Sequence, residues 1–273
     1  MTRLAHERHG SGEPLVLIHG IGHRRQAWYP VLDRLTPHRE VILFDLPGHG
    51  ESDPLVPDGR PIQTLLREAL EDLFDELDIE QPHVAGNSLG GRIALEAAAD
   101  NLVSSATTLA PAGFWRNQVD FAYIRLVFTL LTGAATLAQP IAPALLRTGP
   151  GRAAAMGLLM TKGNRLDPEL ALGDLRGLVA ARPALRTIID GGFPLEREID
   201  PSIPVTVAWG TRDLVLLPYQ AKRARRALPQ AEHITLPKCG HVPMVDDVDL
   251  VSDVLLRGSD HPRVRQQRAV DVA

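Results

Sequence analysis

Residues 82–100 constrain this chain more than any other stretch. A short apolar run, Val84-Ala85, enters Gly86-Asn87-Ser88-Leu89-Gly90-Gly91, and the helix formers Arg92-Ile93-Ala94-Leu95-Glu96-Ala97-Ala98 follow at once. The pattern predicts a strand, a tight turn and a helix, with a serine at the apex. Gly86 and Gly90 flank Ser88 by two residues on either side, where so sharp a turn leaves no room for side chains. Ser88 is expected in a strained backbone conformation, its hydroxyl lifted clear of the sheet. The helix beginning at Leu89 aims its free N–H groups and positive dipole end at the same spot. A nucleophile and half of an anion hole are thereby encoded in one turn.

The rest of the chain repeats a strand-then-helix rhythm. Residues 4–8 read as a first edge strand. Leu15-Val16-Leu17-Ile18 and Val41-Ile42-Leu43-Phe44 are unbroken apolar runs, as in strands buried on both faces. Helical spacing appears at 26–36 and 62–77, and a further strand at 106–110. From 114 to about 198 the rhythm stops; the segment is helical in pattern, rich in Ala and Leu, and broken by prolines and glycines. It resumes with a strand at 204–210, a helix at 219–228, a short strand at 233–236 and a last helix at 245–256. The expected organisation is a core of residues 1–112 and 199–258, a helical cap of 113–198, and a loose tail of 259–273.

The pattern G-x-S-x-G between strand and helix resembles the nucleophile elbow of the α/β-hydrolase family. Four more segments carry the resemblance: His19-Gly20 after the second strand, Asp45-Leu46-Pro47-Gly48-His49-Gly50-Glu51-Ser52 after the third, Trp209-Gly210-Thr211-Arg212-Asp213, and Cys239-Gly240-His241-Val242-Pro243 near the C-terminus. Together they cover nearly all of the chain outside the helical segment. The resemblance implies an α/β fold, a mostly parallel doubly wound sheet with a helical cap insertion. It implies a triad in the family's chain order: Ser88 as nucleophile, Asp213 as the orienting acid and His241 as base. It implies backbone N–H groups of Ile21 and Leu89 as the oxyanion hole. Asp45 and His49 are assigned to shaping the turns. Cys239 is read as a small packing residue, because serine occupies the nucleophile position.

Serine at the elbow argues against relatives that use aspartate there. The resemblance leaves esterases, lipases, thioesterases, lactonases, perhydrolases and carbon–carbon bond hydrolases. The leading reading is a carboxylesterase, the runner-up a carbon–carbon bond hydrolase acting on vinylogous diketo acids, and, in another class, a ligand receptor on a hydrolase scaffold. The apolar cap favours an ester of small to medium size and low polarity. For a diketo acid, Arg92 is the candidate carboxylate partner; a plain helix-surface arginine is the preferred reading of it. No metal or organic cofactor is implied, since the sequence has no H-E-x-x-H, paired C-x-x-C or P-loop pattern.

Composition bounds the partners. The 273 residues carry a net charge of −4, which gives nothing global to attract nucleic acid, and the basic cluster at 222–226 reads as a solvated helix face. A single cysteine excludes an internal disulfide, and the first residues lack the apolar core of a signal peptide, so a cytoplasmic location is expected. Residues 126–146 carry no charge and have the length of a membrane span. Thr129, Thr132, Gly133, Gln139, Pro140 and Pro143 interrupt them, so they are read as two apolar cap helices, with membrane contact through their surface as the minor alternative. Nothing in the residues specifies an oligomer.

Overall fold

The computed structural model describes residues 2–191 and 197–260. Its centre is a seven-stranded sheet. The strands are β1 (His6–His9), β2 (Pro14–Ile18), β3 (Glu40–Phe44), β4 (His83–Asn87), β5 (Ser105–Leu109), β6 (Val205–Gly210) and β7 (Glu232–Leu236), in the order β1-β3-β2-β4-β5-β6-β7. Only β1 runs antiparallel, pairing with β3. Parallel strands need crossovers, and the helices that supply them cover both faces. Alternate residues divide the core accordingly. Val16, Ile18, Ile42 and Phe44 pack toward α2 (Ile62–Glu76) and α3 (Leu89–Ala99). Leu15, Leu17, Val41 and Leu43 pack toward α1 (Tyr29–Leu35) and the C-terminal helix Val248–Ser259. The central strands bury both faces, which is why they read as continuous apolar runs rather than alternating ones.

Between β5 and β6 the described residues form five α-helices: α4 (Gln118–Ala138), α5 (Ala142–Arg147), α6 (Gly149–Met156), α7 (Pro168–Ala180) and α8 (Arg182–Asp190). Their boundaries follow local rules. Asn117 caps α4 by accepting from the N–H groups of Val119 and Asp120, and Asp167 caps α7 through those of Glu169 and Leu170. Pro140 lies in the turn after α4, and Pro143 in the first turn of α5, where its missing N–H costs nothing. After β6 come α9 (Tyr219–Ala227), β7 and α10 (Val248–Ser259).

Two expected boundaries move. The last helix starts at Val248, not 245, because Asp247 caps it and residues 242–246 form the turn that carries His241. It also runs past Gly258: Ser259 is buried, and Arg39 donates from Nε to its hydroxyl at 3.2 Å and from Nη2 to its carbonyl at 3.1 Å. The expected tail therefore does not begin at 259, and its residues 261–273 lie outside the described residues. So do residues 192–196 of the expected cap.

The site-bearing loops all leave the carboxyl ends of strands. The chain runs outward from β2 to β3, then returns across β2 to β4, so the loops after β2 and β4 diverge at the switch point of the sheet. Crevices of open parallel sheets form at such points.

Candidate active site

Ser88 joins β4 to α3 with φ 56° and ψ −113°, a left-handed conformation that non-glycine residues adopt at a cost of about 1–3 kcal/mol. The flanking glycines are dictated by space. A Cβ on Gly86 would sit 2.2 Å from the Gly90 carbonyl carbon, across the turn. A Cβ on Gly90 would sit 2.1 Å from the Ile18 carbonyl oxygen, so this glycine clears the end of β2 rather than the turn itself.

Asp213 follows β6 and is buried. Its Oδ1 accepts from the backbone N–H groups of Val215 and Leu216, each at 2.8 Å, which fixes the carboxylate. Its Oδ2 lies 2.8 Å from His241 Nδ1. With Nδ1–H donating there, His241 presents Nε2 as the acceptor. The His241 carbonyl accepts from Asn87 Nδ2 at 2.8 Å, and the same amide donates to the Leu109 carbonyl at 3.0 Å. Asn87 thus ties the histidine loop to the residue beside the serine.

Ser88 and His241 line one cavity of roughly 320 Å³. The structure does not join them by a hydrogen bond; it brings Asp213 and His241 into contact, and Ser88 and His241 share the cavity lining. Such contacts commonly tighten only around substrate. Ile21 lines the cavity too, and Leu89 opens the helix behind Ser88. Among the described residues, neither the Ile21 nor the Leu89 backbone N–H finds an acceptor.

Two histidines shape this corner. His19 donates from Nδ1 to the Gly20 carbonyl (2.8 Å), and its Nε2 accepts from the Leu46 N–H (2.9 Å). His49 donates from Nδ1 to the Pro47 carbonyl (3.1 Å), and its Nε2 accepts from the Gly22 N–H (3.0 Å). Burial holds both well toward the neutral form, His49 at about 4. Asp45 is fully buried and accepts from the Arg25 backbone N–H (2.7 Å), the Glu51 N–H (3.0 Å) and the Arg25 guanidinium. The loops after β2 and β3 are held together by these groups.

The cavity walls are mostly apolar and come from the inserted helices: Phe128, Leu131 and Ala135 of α4, Met156 of α6, and Leu175 and Leu178 of α7. Two polar residues among them were not singled out in the sequence. His23 is buried, and its Nδ1 has no partner; burial lowers its pKa, and the neighbouring His241 adds to this while Asp174 opposes it. Asp174 pairs with Arg24 at 3.0 Å. A histidine four residues after His19 carries no pattern of its own, and Asp174 lies in the part of the sequence that was least readable.

Asp246 was also missed. Its Oδ2 accepts from the Gly240 N–H and its Oδ1 from the Lys162 N–H, both at 2.7 Å. Val242 N–H donates to the Leu159 carbonyl at 2.8 Å. These bonds fasten the histidine loop to the inserted segment.

Arg92 departs from its preferred surface reading, since it is buried. Its Nε and Nη2 donate to Glu96 Oε1 at 2.9 and 2.7 Å, and it lines a smaller cavity beside Ser88 rather than the large one. Cys239 is buried, which raises its thiol to about 11, with Asp246 and Asp247 adding to the effect. Among the described residues, no group of three or more His, Cys, Asp or Glu side chains could hold a metal ion.

Comparison with known proteins agrees with this architecture. The profile described as "Alpha/beta hydrolase family" matches residues 15–254, and the chain belongs to that family. It is 30% identical over 250 residues to the dihydrolipoyllysine-residue acetyltransferase component of the acetoin cleaving system of Pseudomonas putida, covering 90% of this chain and 63% of that relative. The chain thus spans less than two thirds of that relative's length. It is 28% identical over 253 residues to Lipase 1 of Psychrobacter immobilis, covering 89% of this chain and 75% of the lipase. A solved thermophilic esterase from Thermogutta terrifontis superposes with a TM-score of 0.69 at 20% identity, over 94% of this chain and 92% of the esterase.

Proposed function

We propose that the protein is a serine hydrolase that cleaves small to medium, largely apolar carboxylic esters through an acyl-enzyme on Ser88. The observation that carries this reading is a strained Ser88 and an Asp213-oriented His241 lining the same cavity. In the first half-reaction His241 Nε2 takes the Ser88 proton as Oγ attacks the ester carbonyl. The N–H groups of Ile21 and Leu89 receive the developing oxyanion, where preorganised donors act most strongly. The imidazolium, stabilised by Asp213, returns its proton to the leaving alcohol. Water, deprotonated by His241, then attacks the acyl-enzyme and releases the carboxylic acid and the free serine.

The apolar wall contributed by α4, α6 and α7 supports an acyl or alkyl group of low polarity. The diketo-acid reading has less support, because the Arg92 guanidinium is engaged by Glu96 and the large cavity has Asp174, not an arginine, as its charged lining residue. No cofactor enters the proposed reaction.

The test combines labelling by a fluorophosphonate with turnover of p-nitrophenyl acetate and butyrate. Labelling that is lost in Ser88→Ala, together with turnover of both esters, is the expected result. Labelling with negligible turnover would instead point to a receptor or a narrow carbon–carbon bond enzyme.

A further inference from the structure

Helix α4 meets two different environments. Phe128, Leu131 and Ala135 face the catalytic cavity. On another face, Val119, Leu126, Leu130 and Leu137 stand 74%, 54%, 61% and 83% exposed. Their spacings of seven, four and seven residues put all four on one stripe of a 3.6-residue helix, and Ile141, 61% exposed, follows in the next turn. By length and composition this helix could cross a membrane, yet only 28% of its most apolar window is buried, so it is no ordinary core helix. Isolated exposed leucines need no explanation, but a row of four does.

Two further observations say what covers the stripe. First, Ala134 and Ala154 line the cavity and are also exposed, so the cavity opens between α4 and α6, beside Leu130 and Leu137. Second, residues 114–166 carry six basic side chains and one acidic one, Asp120, in a chain whose net charge is −4. Asp120 is paired with Arg116, Arg125 with Asp190, and Lys162 lies against Asp246, while Arg147 at the end of α5 is exposed. An apolar row within a locally basic segment matches an anionic lipid surface, where apolar burial and attraction to headgroups act together.

We infer that the exposed row of α4 docks on an anionic lipid surface and sets the cavity mouth against it, so that the esters admitted are those dissolved in the interface. The choice of substrate rests on the hydrolase reading above; the docking does not. Leu130 and Leu137 do not line the cavity, so they can be changed without touching the site.

The test is co-sedimentation of the full chain with phosphatidylcholine vesicles, with and without phosphatidylglycerol. The chain as it stands, Ser88→Ala and the double variant Leu130→Glu/Leu137→Glu are compared. The expected result is binding that favours the anionic vesicles, weakens with added salt, persists in Ser88→Ala, and falls by at least ~10-fold in the double variant. Turnover of a soluble ester by the double variant should match that of the unaltered chain, which shows that it folds. No binding to either vesicle, or equal binding by the double variant, overturns the proposal. So does a dimer in solution that the double variant dissociates without any lipid binding. Because Ser88→Ala is expected to bind, failure of the ester reading leaves the docking result intact.

Discussion

His19 and His49 clasp each other's loops: the Nε2 of each accepts a backbone N–H from the strand end that bears the other, Leu46 for His19 and Gly22 for His49. Their rings lie 5.3 Å apart. Gly22 follows Ile21, so the clasp fixes the segment assigned to one oxyanion donor. His49→Ala is expected to lower kcat for p-nitrophenyl butyrate by about 10- to 100-fold with a smaller change in KM. His49→Gln, whose amide oxygen can accept from Gly22, should recover part of the loss. Fluorophosphonate labelling should persist in both variants and vanish in His241→Ala. An unchanged kcat in His49→Ala would remove the clasp from the catalytic argument.

Acid should destabilise the fold in a defined window. Burial lowers the pKa of His19, His23, His49 and His83, with His49 and His83 at about 4, whereas an unfolded histidine titrates near about 6.5. As pH falls below about 6.5, the unfolded chain takes up protons that the folded chain refuses, so stability drops until pH passes about 4. Above about 6.5 these groups have no effect. Calorimetric Tm should therefore be level from pH 7 to 8 and decline from 6.5 to 4; a level Tm across that lower range would contradict the assigned environments.

Ser88 separates activity from stability. Ser88→Ala should reduce ester turnover by at least ~10³-fold with little change in Tm, since triad members act as a unit. Ser88→Gly should be equally inactive yet more stable by about 1 kcal/mol, because glycine adopts φ 56° without strain. Chemical denaturation of the two variants side by side checks this. A glycine variant less stable than the alanine one would show that the turn is not strained.

Asp246 should behave as a positioning residue. Replacing it by alanine leaves the Gly240 and Lys162 N–H groups without their acceptor, at a cost of about 2–4 kcal/mol. Loosening the His241 loop should also lower kcat while the KM for a soluble ester stays near its starting value. Asp246→Asn keeps one acceptor oxygen and should fall between the two. Loss of stability with full kcat would confine Asp246 to the fold.

The loops that carry Ser88, Asp213 and His241 were legible in the sequence because each follows a strand and has its own local pattern, although the strand before His241 is only partly buried. Arg92 was misread as a surface group because charge usually marks the solvent face, while α3 is covered over nearly its whole length. Its partner Glu96 stands four residues on in an otherwise apolar helix, and that spacing was the available signal for a buried pair. His23, Asp174 and Asp246 act through neighbours far away in the chain. Arg24 and Asp174 are 150 residues apart, and Lys162 and Asp246 are 84, so no local pattern reports them. The exposed row on α4 was hidden for a different reason: apolar periodicity says which residues share a face, but not whether that face meets protein or solvent.

The bond from Val242 N–H to the Leu159 carbonyl, reinforced by Asp246 and Lys162, makes the inserted segment a brace for the His241 loop. A substitution among residues 159–162 is therefore passed to the loop of His241, the proposed proton acceptor, through the backbone. Whatever tunes the width of the passage between α4 and α6 can leave the chemistry alone, whereas whatever tunes the Leu159 end cannot. On the proposed reading, substrate range and turnover speed are thus adjustable from different parts of one insertion.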